Sequence, residues 1–358
     1  MQNKKKVGFP RMDHYNVALQ YLVETGLDCQ YVMAPPMTRK TLELGSKYSP
    51  DFVCAPFKYT LGSMLEMLQQ GVDTIVETGG VCRLGYYGEL QKQILRDLGY
   101  DVQFLNLADM GKHKIRGYRR LLRELNPHIR YGKAARALSD ALTAVRRIDE
   151  LEGRVRTDRG FEVRRGSMQA VFDAFLAETA AARSRKELDA AYEKARAGLD
   201  AAALCKPEHP LRVGIIGEYY TVMDDFGNHN VERILAYMGQ GVEIHRWMTF
   251  THRNLEYDEK ADLAFIAPYV RYSMGPTSSA TLAAALRYAE AGFDGIVHVK
   301  SFGCTPEVDV MPVLQNISAD KKIPILYLSY DSQTGDAGIQ TRLEAFYDMI
   351  EMKRKNAL

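Results

Sequence analysis

Cysteine is scarce in this chain: five residues are spread over 358 positions. An odd number at wide spacing is poor material for a disulfide framework, so reduced thiols and a cytoplasmic setting are expected. No run approaches the ~20 apolar residues that a membrane-crossing helix needs. The basic start Lys4-Lys5-Lys6 leads only into Val7-Gly8-Phe9 before Pro10, which is too short for the apolar stretch of a secretion signal. Neither sign of charge dominates, and a net charge of +2 speaks against bulk affinity for nucleic acid. The phosphate loop G-x-x-x-x-G-K is absent, and so is any close Cys or His pair of the kind that structural zinc uses. What remains is a globular composition, 46% hydrophobic, in a chain long enough for two domains.

Hydrophobic periodicity organises that length. In the first hundred residues, short strand-like runs (Lys6 to Phe9, Asp28 to Met33, Phe52-Val53, Thr74 to Val76, Val102 to Leu105) alternate with helical spacing, clearest where Leu61, Met64, Leu65 and Leu68 recur at i, i+3, i+4, i+7. A second series starts at Leu211: strands at 213–217, Val242 to Trp247, Leu263 to Ile266, Gly295 to Val299 and Pro324 to Leu328, with helices at Val231 to Met238, Ala280 to Ala291 and from about Gly338. Strands joined through helices imply parallel sheets covered on both faces. The expected fold is α/β, with two doubly wound, mainly parallel-sheet domains at 1–111 and 207–358 and a helical region at 112–206.

The middle carries no strand signal. Leu138, Leu142, Val145, Ile148 and Leu151 keep helical spacing, as do Phe172 and Phe175. Residues 112–166 hold 16 Lys or Arg against 7 Asp or Glu. A solvated helical face is the ordinary meaning of such a surplus; docking of a charged partner is the sharper one. Nucleic acid is a weaker rival, because no recognition motif accompanies the charge.

Three cysteines stand just after strand-like runs and beside glycine or proline: Cys54 in DFVCAPF, Cys82 in TIVETGGVCRLGYYG and Cys304 in GIVHVKSFGCTPE. Ligands of open α/β sheets gather at the carboxyl ends of strands, so these three are expected to line one cleft. Cys29, inside a strand pattern, and Cys205, in a linker before Pro207, read instead as an ordinary small hydrophobe and a solitary thiol. Zinc would want a fourth ligand, and a nucleophilic cysteine with a histidine base would leave two cysteines unexplained. Three thiolates can hold an iron-sulfur cubane with one iron left open.

Several segments together carry a family likeness: KVGFPRMDHYN, VCAPFKYTLG, GEYYTVMDDFGNHNVER, SFGCTPE and the long DSQTGDAGIQTRLEAF. The chain resembles the 2-hydroxyacyl-CoA dehydratase component D superfamily, and within it the short single-chain members related to activase-associated and double-cubane cluster proteins. That resemblance implies two α/β domains and a helical region around an oxygen-sensitive iron-sulfur cluster, [4Fe-4S] or double-cubane [8Fe-9S], with Cys54, Cys82 and Cys304 at the ligand positions. It also implies a partner ATPase of the actin and hexokinase type, an activase that injects low-potential electrons at the expense of ATP. A homodimeric ATP-dependent reductase of small molecules is the expected function. The alternatives are one subunit of a dehydratase acting on a 2-hydroxyacyl-CoA beside a related subunit, and a non-catalytic electron-storing subunit.

Other polar residues fall in the same post-strand loops. Glu218 and Tyr219 follow the strand at 213–217, Asp331 follows the strand at 324–328, and His14 lies after the first strand. Each is a candidate for orienting substrate or donating a proton, although loop acids also cap helices and loop histidines also face solvent. Gly335 and Gly338 precede the last helix, where they suit either an anion site or a simple turn.

Overall fold

The computed structural model describes residues 4–77, 84–107, 114–275 and 277–356. The chain divides into two compact units, residues 1–148 with 174–194 and residues 149–173 with 195–358. The first contains strands β1 (Lys6–Gly8), β2 (Gln30–Val32), β3 (Thr74–Glu77) and β4 (Gln103–Asn106). They form one parallel sheet in the order β2-β1-β3-β4, with Gly8 opposite Ile75 and Val76 opposite Leu105. Helix α1 (Asn16–Tyr21), which continues as a π-turn to Gly26, connects β1 to β2; α2 (Arg39–Tyr48) and α3 (Ala55–Gln69) lead to β3, and α4 (Leu84–Asp97) leads to β4.

Alternation along the strands explains why both faces of this sheet are covered. Ile75 packs with Phe57, Leu61, Met64 and Leu95, while its neighbour Val76 packs with Val7, Phe9, Val23 and Leu105. Successive side chains of a strand point to opposite faces, so each face needs its own helical layer. Helices α2 and α3 approach closely through a reciprocal pair of glycines. A Cβ on Gly45 would lie 1.8 Å from the Lys58 carbonyl oxygen, and one on Gly62 would lie 2.0 Å from that of Thr41. No side chain fits there, and the packing fixes the start of α3.

Helices α5 (Lys114–Leu125), α6 (Tyr131–Asp158), α7 (Ser167–Ala181) and α8 (Arg185–Asp200) follow. The helical reading of this stretch is correct, apart from an isolated bridge between Glu162 and Leu204. Leu138 departs from the expected apolar stripe at 47% exposure. Ala134, Ala137, Ala141 and Ala144 are buried along the same helix, so small residues form the close face.

The second unit repeats the topology. Strands β5 (Leu211–Gly217), β6 (Val242–Arg246), β7 (Gly295–Ser301) and β8 (Ile325–Tyr330) are all parallel in the order β6-β5-β7-β8. Short helices α9 (Tyr219–Met223) and α10 (Val231–Ala236) join β5 to β6. Between β6 and β7 stand α11 (Glu259–Phe265) and α12 (Ser278–Glu290); α13 (Thr305–Asp309) and α14 (Met311–Lys321) lead to β8, and α15 (Asp336–Lys355) closes the unit. The chain is therefore α/β with two doubly wound domains.

Two strand expectations are corrected. Leu263 to Ile266 lies in and just after helix α11, whose start is capped by Asp258 accepting from the amides of Lys260 and Ala261 at 3.0 and 3.2 Å; four consecutive apolar residues have no period to separate strand from helix. Phe52-Val53 is a turn closed by a bond from the Val53 amide to the Pro50 carbonyl, 3.4 Å.

Buried charge ties α6 and α10 to β6 within the second unit. Arg156 pairs with Glu232 at 2.7 Å and with Glu152 at 2.9 Å; Arg246 pairs with Glu152 at 2.7 Å and with Glu232 at 3.2 Å. All four residues are buried. Each arginine touches both glutamates, so no charge in the square is left uncompensated. Removing one member strands its neighbours in a low-dielectric interior, at a cost of about 3–5 kcal/mol. Arg246→Met should lower the unfolding free energy by about that amount in a urea titration followed by circular dichroism, and a loss under ~1 kcal/mol would mean that the square contributes little.

Candidate functional site

In a sheet of this order the chain leaves β5 toward β6 and β7 toward β8, so a crevice opens at the carboxyl ends of β5 and β7. Gly217 ends β5 there. Its φ is +135°, and a Cβ at this position would lie 1.8 Å from the Val299 carbonyl oxygen, so only glycine is admitted. The next residue, Glu218, donates its amide to that same carbonyl at 3.1 Å. Its side chain turns back over α9 and accepts from the amides of Tyr220 and Thr221, at 2.7 and 3.0 Å, and from the Thr221 hydroxyl. Glu218 thus caps a helix while buried at the switch point. Burial raises its carboxyl above the usual range, the bonds from Thr221 and Tyr220 oppose this, and the charge of Glu307 adds to it. Tyr219 keeps its hydroxyl in a bond from Asn254, 3.0 Å, and burial pushes it up to about 12.

Strand β7 is buried along its whole length yet carries two basic side chains on one face, His298 and Lys300. The His298 ring hydrogen-bonds through Nε2 to Glu307 at 2.7 Å. Glu307 also accepts from the hydroxyls of Thr277 and Thr281, at 2.5 and 2.9 Å. This fully buried carboxylate clamps α13 to β7 and α12. Cys304, three residues earlier, is the N-cap of α13 and is half-buried. Lys300 is 3% exposed. Burial holds its ammonium below the ordinary lysine value, and the charges of Cys304 and Glu307 act in the opposite sense.

Cys54 belongs to the first unit and has the same local setting. It is the N-cap of α3, half-buried, with extended backbone. Phe52-Val53-Cys54-Ala55-Pro56 and Phe302-Gly303-Cys304-Thr305-Pro306 share the pattern F-x-C-x-P, with proline in the first helical turn, and the two phenylalanines are 84% and 71% exposed. Neither thiol caps its own helix. Cys82 lies outside the described residues, as do Gly79 and Gly80; in sequence it follows β3 as Cys304 follows β7.

The remaining cysteines have different surroundings. Cys29 is buried with its thiol 3.6 Å from the carbonyls of Leu27 and Leu125, and burial pushes it up to about 11. Cys205 is exposed. The chemistry of Cys54 and Cys304, soft thiols at half-buried helix starts and not engaged in disulfides, fits ligation of iron and sulfide.

Asp331 is exposed, and its carboxylate accepts from the Gln333 amide and the Thr334 hydroxyl of its own turn, at 2.8 and 3.0 Å. Gly335 is the N-cap of α15, and Asp336 in the first turn pairs with His229. His229 and the next residue, Asn230, both hold left-handed backbone, φ 58° and 57°, and the His229 ring stacks on Tyr330 at 5.2 Å. The segments DDFGNHN and DSQTGDAG are thereby joined side by side. His14, in the first unit, sits in a short helical turn after β1 with Nε2 3.2 Å from Asp13. Sequence reading missed Lys300, His298, Glu307 and His229. The available signal was the pair of basic residues two apart in GIVHVKS, which share one face of a strand.

Among known proteins, the family model described as 2-hydroxyglutaryl-CoA dehydratase, D-component, matches residues 168–350, more than half of the chain. No curated protein matches it. No helix among the described residues is long and apolar enough to cross a membrane.

Glu218 provides a test of the buried switch point. An acid whose folded value is raised adds stability that is complete below its unfolded value, about 4.3, and is lost as pH rises through the folded value. Glu218→Gln removes the titration and keeps an acceptor oxygen for one of the two amides, which are bonded to different oxygens of the carboxylate. The resulting loss of a bond is independent of pH and leaves the comparison of pH profiles intact. The wild-type protein should lose stability relative to this variant as pH rises above the ordinary carboxylate range, measured by denaturant melts from pH 4.5 to 8; parallel pH profiles would exclude a raised Glu218.

Proposed function

The chain belongs to the 2-hydroxyglutaryl-CoA dehydratase D-component family, and we propose that it is an iron-sulfur protein, its cluster held at Cys54, Cys82 and Cys304, that performs ATP- and activase-dependent low-potential reduction of a small substrate. The supporting observation is the repeated F-x-C-x-P segment, which gives each unit a half-buried thiol at a helix start. A cluster bound there, [4Fe-4S] or double-cubane [8Fe-9S], supplies low-potential electrons and an iron not capped by cysteine.

The protein's own groups bind, orient and supply protons. Glu218, raised by burial at the end of β5, holds a proton close to the crevice, and Tyr219 shapes the wall beside it. Asp331 and His14 are the corresponding polar groups at the mouths of the loops after β8 and β1. They are assigned to orienting substrate or returning protons from solvent.

The electron-donating partner is an ATPase of the actin and hexokinase type. Its docking surface is assigned to α5, where Arg116, Arg119, Arg120 and Arg123 line an open concavity with Glu124. Like charges three and four residues apart weaken a helix rather than support it. An acidic partner surface would offset that repulsion and would be steered by it. The active assembly is a homodimer or a dimer with a related subunit. A second reading, a D-component of a 2-hydroxyacyl-CoA dehydratase paired with a related subunit, is favoured by the family description itself. In a third, the chain stores electrons without turning over.

An anaerobic assay with activase, a strong reductant and small multiply bonded substrates separates these readings. Reduction that stops when ATP is omitted is the expected result; enoyl-CoA formed from a 2-hydroxyacyl-CoA establishes the second reading, and turnover indifferent to ATP contradicts both. Rising salt should slow activation, and the double variant Arg119→Glu, Arg120→Glu should slow it at least tenfold and flatten that salt dependence. An unchanged activation rate would remove α5 from the docking surface.

A further inference from the structure

Lys300 is the one basic side chain of the second sheet's switch point that no described acceptor explains. It lies on the central strand β7 at 3% exposure. His298, two residues earlier on the same face, has Glu307; Arg246 on β6 has Glu152 and Glu232. Among the described residues no carboxylate comes within 4.0 Å of the Lys300 ammonium, and no hydrogen bond joins it to an acceptor. Glu307, on α13, spends both oxygens on His298, Thr277 and Thr281.

Lys300 is buried along its stem, but its nitrogen is not among the enclosed polar atoms and keeps some access at the end of β7. A methionine of similar length would fill the same space and place no charge there. Packing therefore does not account for the lysine. Its position does. Lys300 stands one residue before the end of β7, and Cys304 opens the helix that follows; the electrostatic influence of Cys304 reaches its ammonium. Cys54 and Cys304 both stand at helix starts, since α13 runs through Val310, helical in backbone, into α14. Only at Cys304 does a lysine on the preceding strand add a full positive charge.

We infer that Lys300 is the counter-charge for the anionic group held at Cys304, a positioning residue that makes electron uptake at that group easier. The inference rests on the iron-sulfur reading given above. A fixed cation beside a site that gains negative charge on reduction stabilises the reduced state, more strongly at a largely buried side chain than in open water.

The test compares wild type, Lys300→Met and Lys300→Arg, each prepared without oxygen, by iron content, by redox titration followed with electron paramagnetic resonance, and by thermal melting of the iron-free protein. Lys300→Met should keep the iron-free melting temperature or raise it. It should make the reduction equilibrium about tenfold less favourable, a shift of ~59 mV for one electron, and Lys300→Arg should restore most of that shift. Loss of iron from Lys300→Met but not from Lys300→Arg, with iron-free stability intact, also supports the assignment. An unchanged potential at full iron content overturns it and leaves the cluster reading standing. A lower iron-free melting temperature in Lys300→Met overturns it too, because the lysine would then be neutralising the buried Glu307 and Glu218. Wild-type protein that takes up no iron removes the cluster reading and this inference together.

Discussion

Two arginines and two glutamates buried in the second unit hold the rest of that unit in place. Arg246 on β6 reaches Glu152 of α6 and Glu232 of α10, and Arg156 closes the square. Arg246 also donates to the carbonyls of Met248 and Val222, at 2.9 and 3.4 Å, so the chain leaving α9 is fixed from the same point. Charges in such a place are tolerated only as a complete set. Once the set is formed, the segment between β5 and β6 has few alternative positions, and Glu218 at its start is fixed beside β7.

Both units use one topology, and the repeat organises the candidate chemistry. In each, the chain reverses direction across the sheet between its first and third strands, and the loops after those strands carry the unusual residues: Asp13 and His14 after β1, Glu218 and Tyr219 after β5, Cys304 after β7. Cys54 enters differently, from a turn between α2 and α3, and its position depends on two helices that meet through Gly45 and Gly62. The two cysteine segments nevertheless read alike, phenylalanine outside and proline in the first turn of the helix.

The parallel sheets were legible because β-branched and apolar residues cluster in short runs separated by helical spacing, and the second unit in particular follows that pattern from Leu211 to Tyr330. Two runs misled for a local reason. Leu263 to Ile266 is apolar without a period, so its helix was visible only in the capping Asp258 before it, and Phe52-Val53 is too short to pair. The buried square was invisible in sequence, since Glu152 and Arg246 are 94 residues apart and nothing local links them. Lys300 was hidden in the opposite way. A lysine at the end of an apolar strand reads as solvent-facing, and only the structure shows that nearly all of this side chain is buried. The F-x-C-x-P repeat was present in the sequence, and it gained meaning once both cysteines proved to be helix N-caps.

The central claim is that Cys54 and Cys304, thiols at helix starts, bind an inorganic cluster. Iron and acid-labile sulfide counted in protein purified without oxygen, together with the electron paramagnetic resonance spectrum of the reduced form, test it most directly. The account predicts a brown protein with iron and sulfide in cubane or double-cubane proportion and a signal that disappears in Cys304→Ser. Colourless, iron-free protein, or full iron and an unaltered signal in Cys304→Ser, would contradict it.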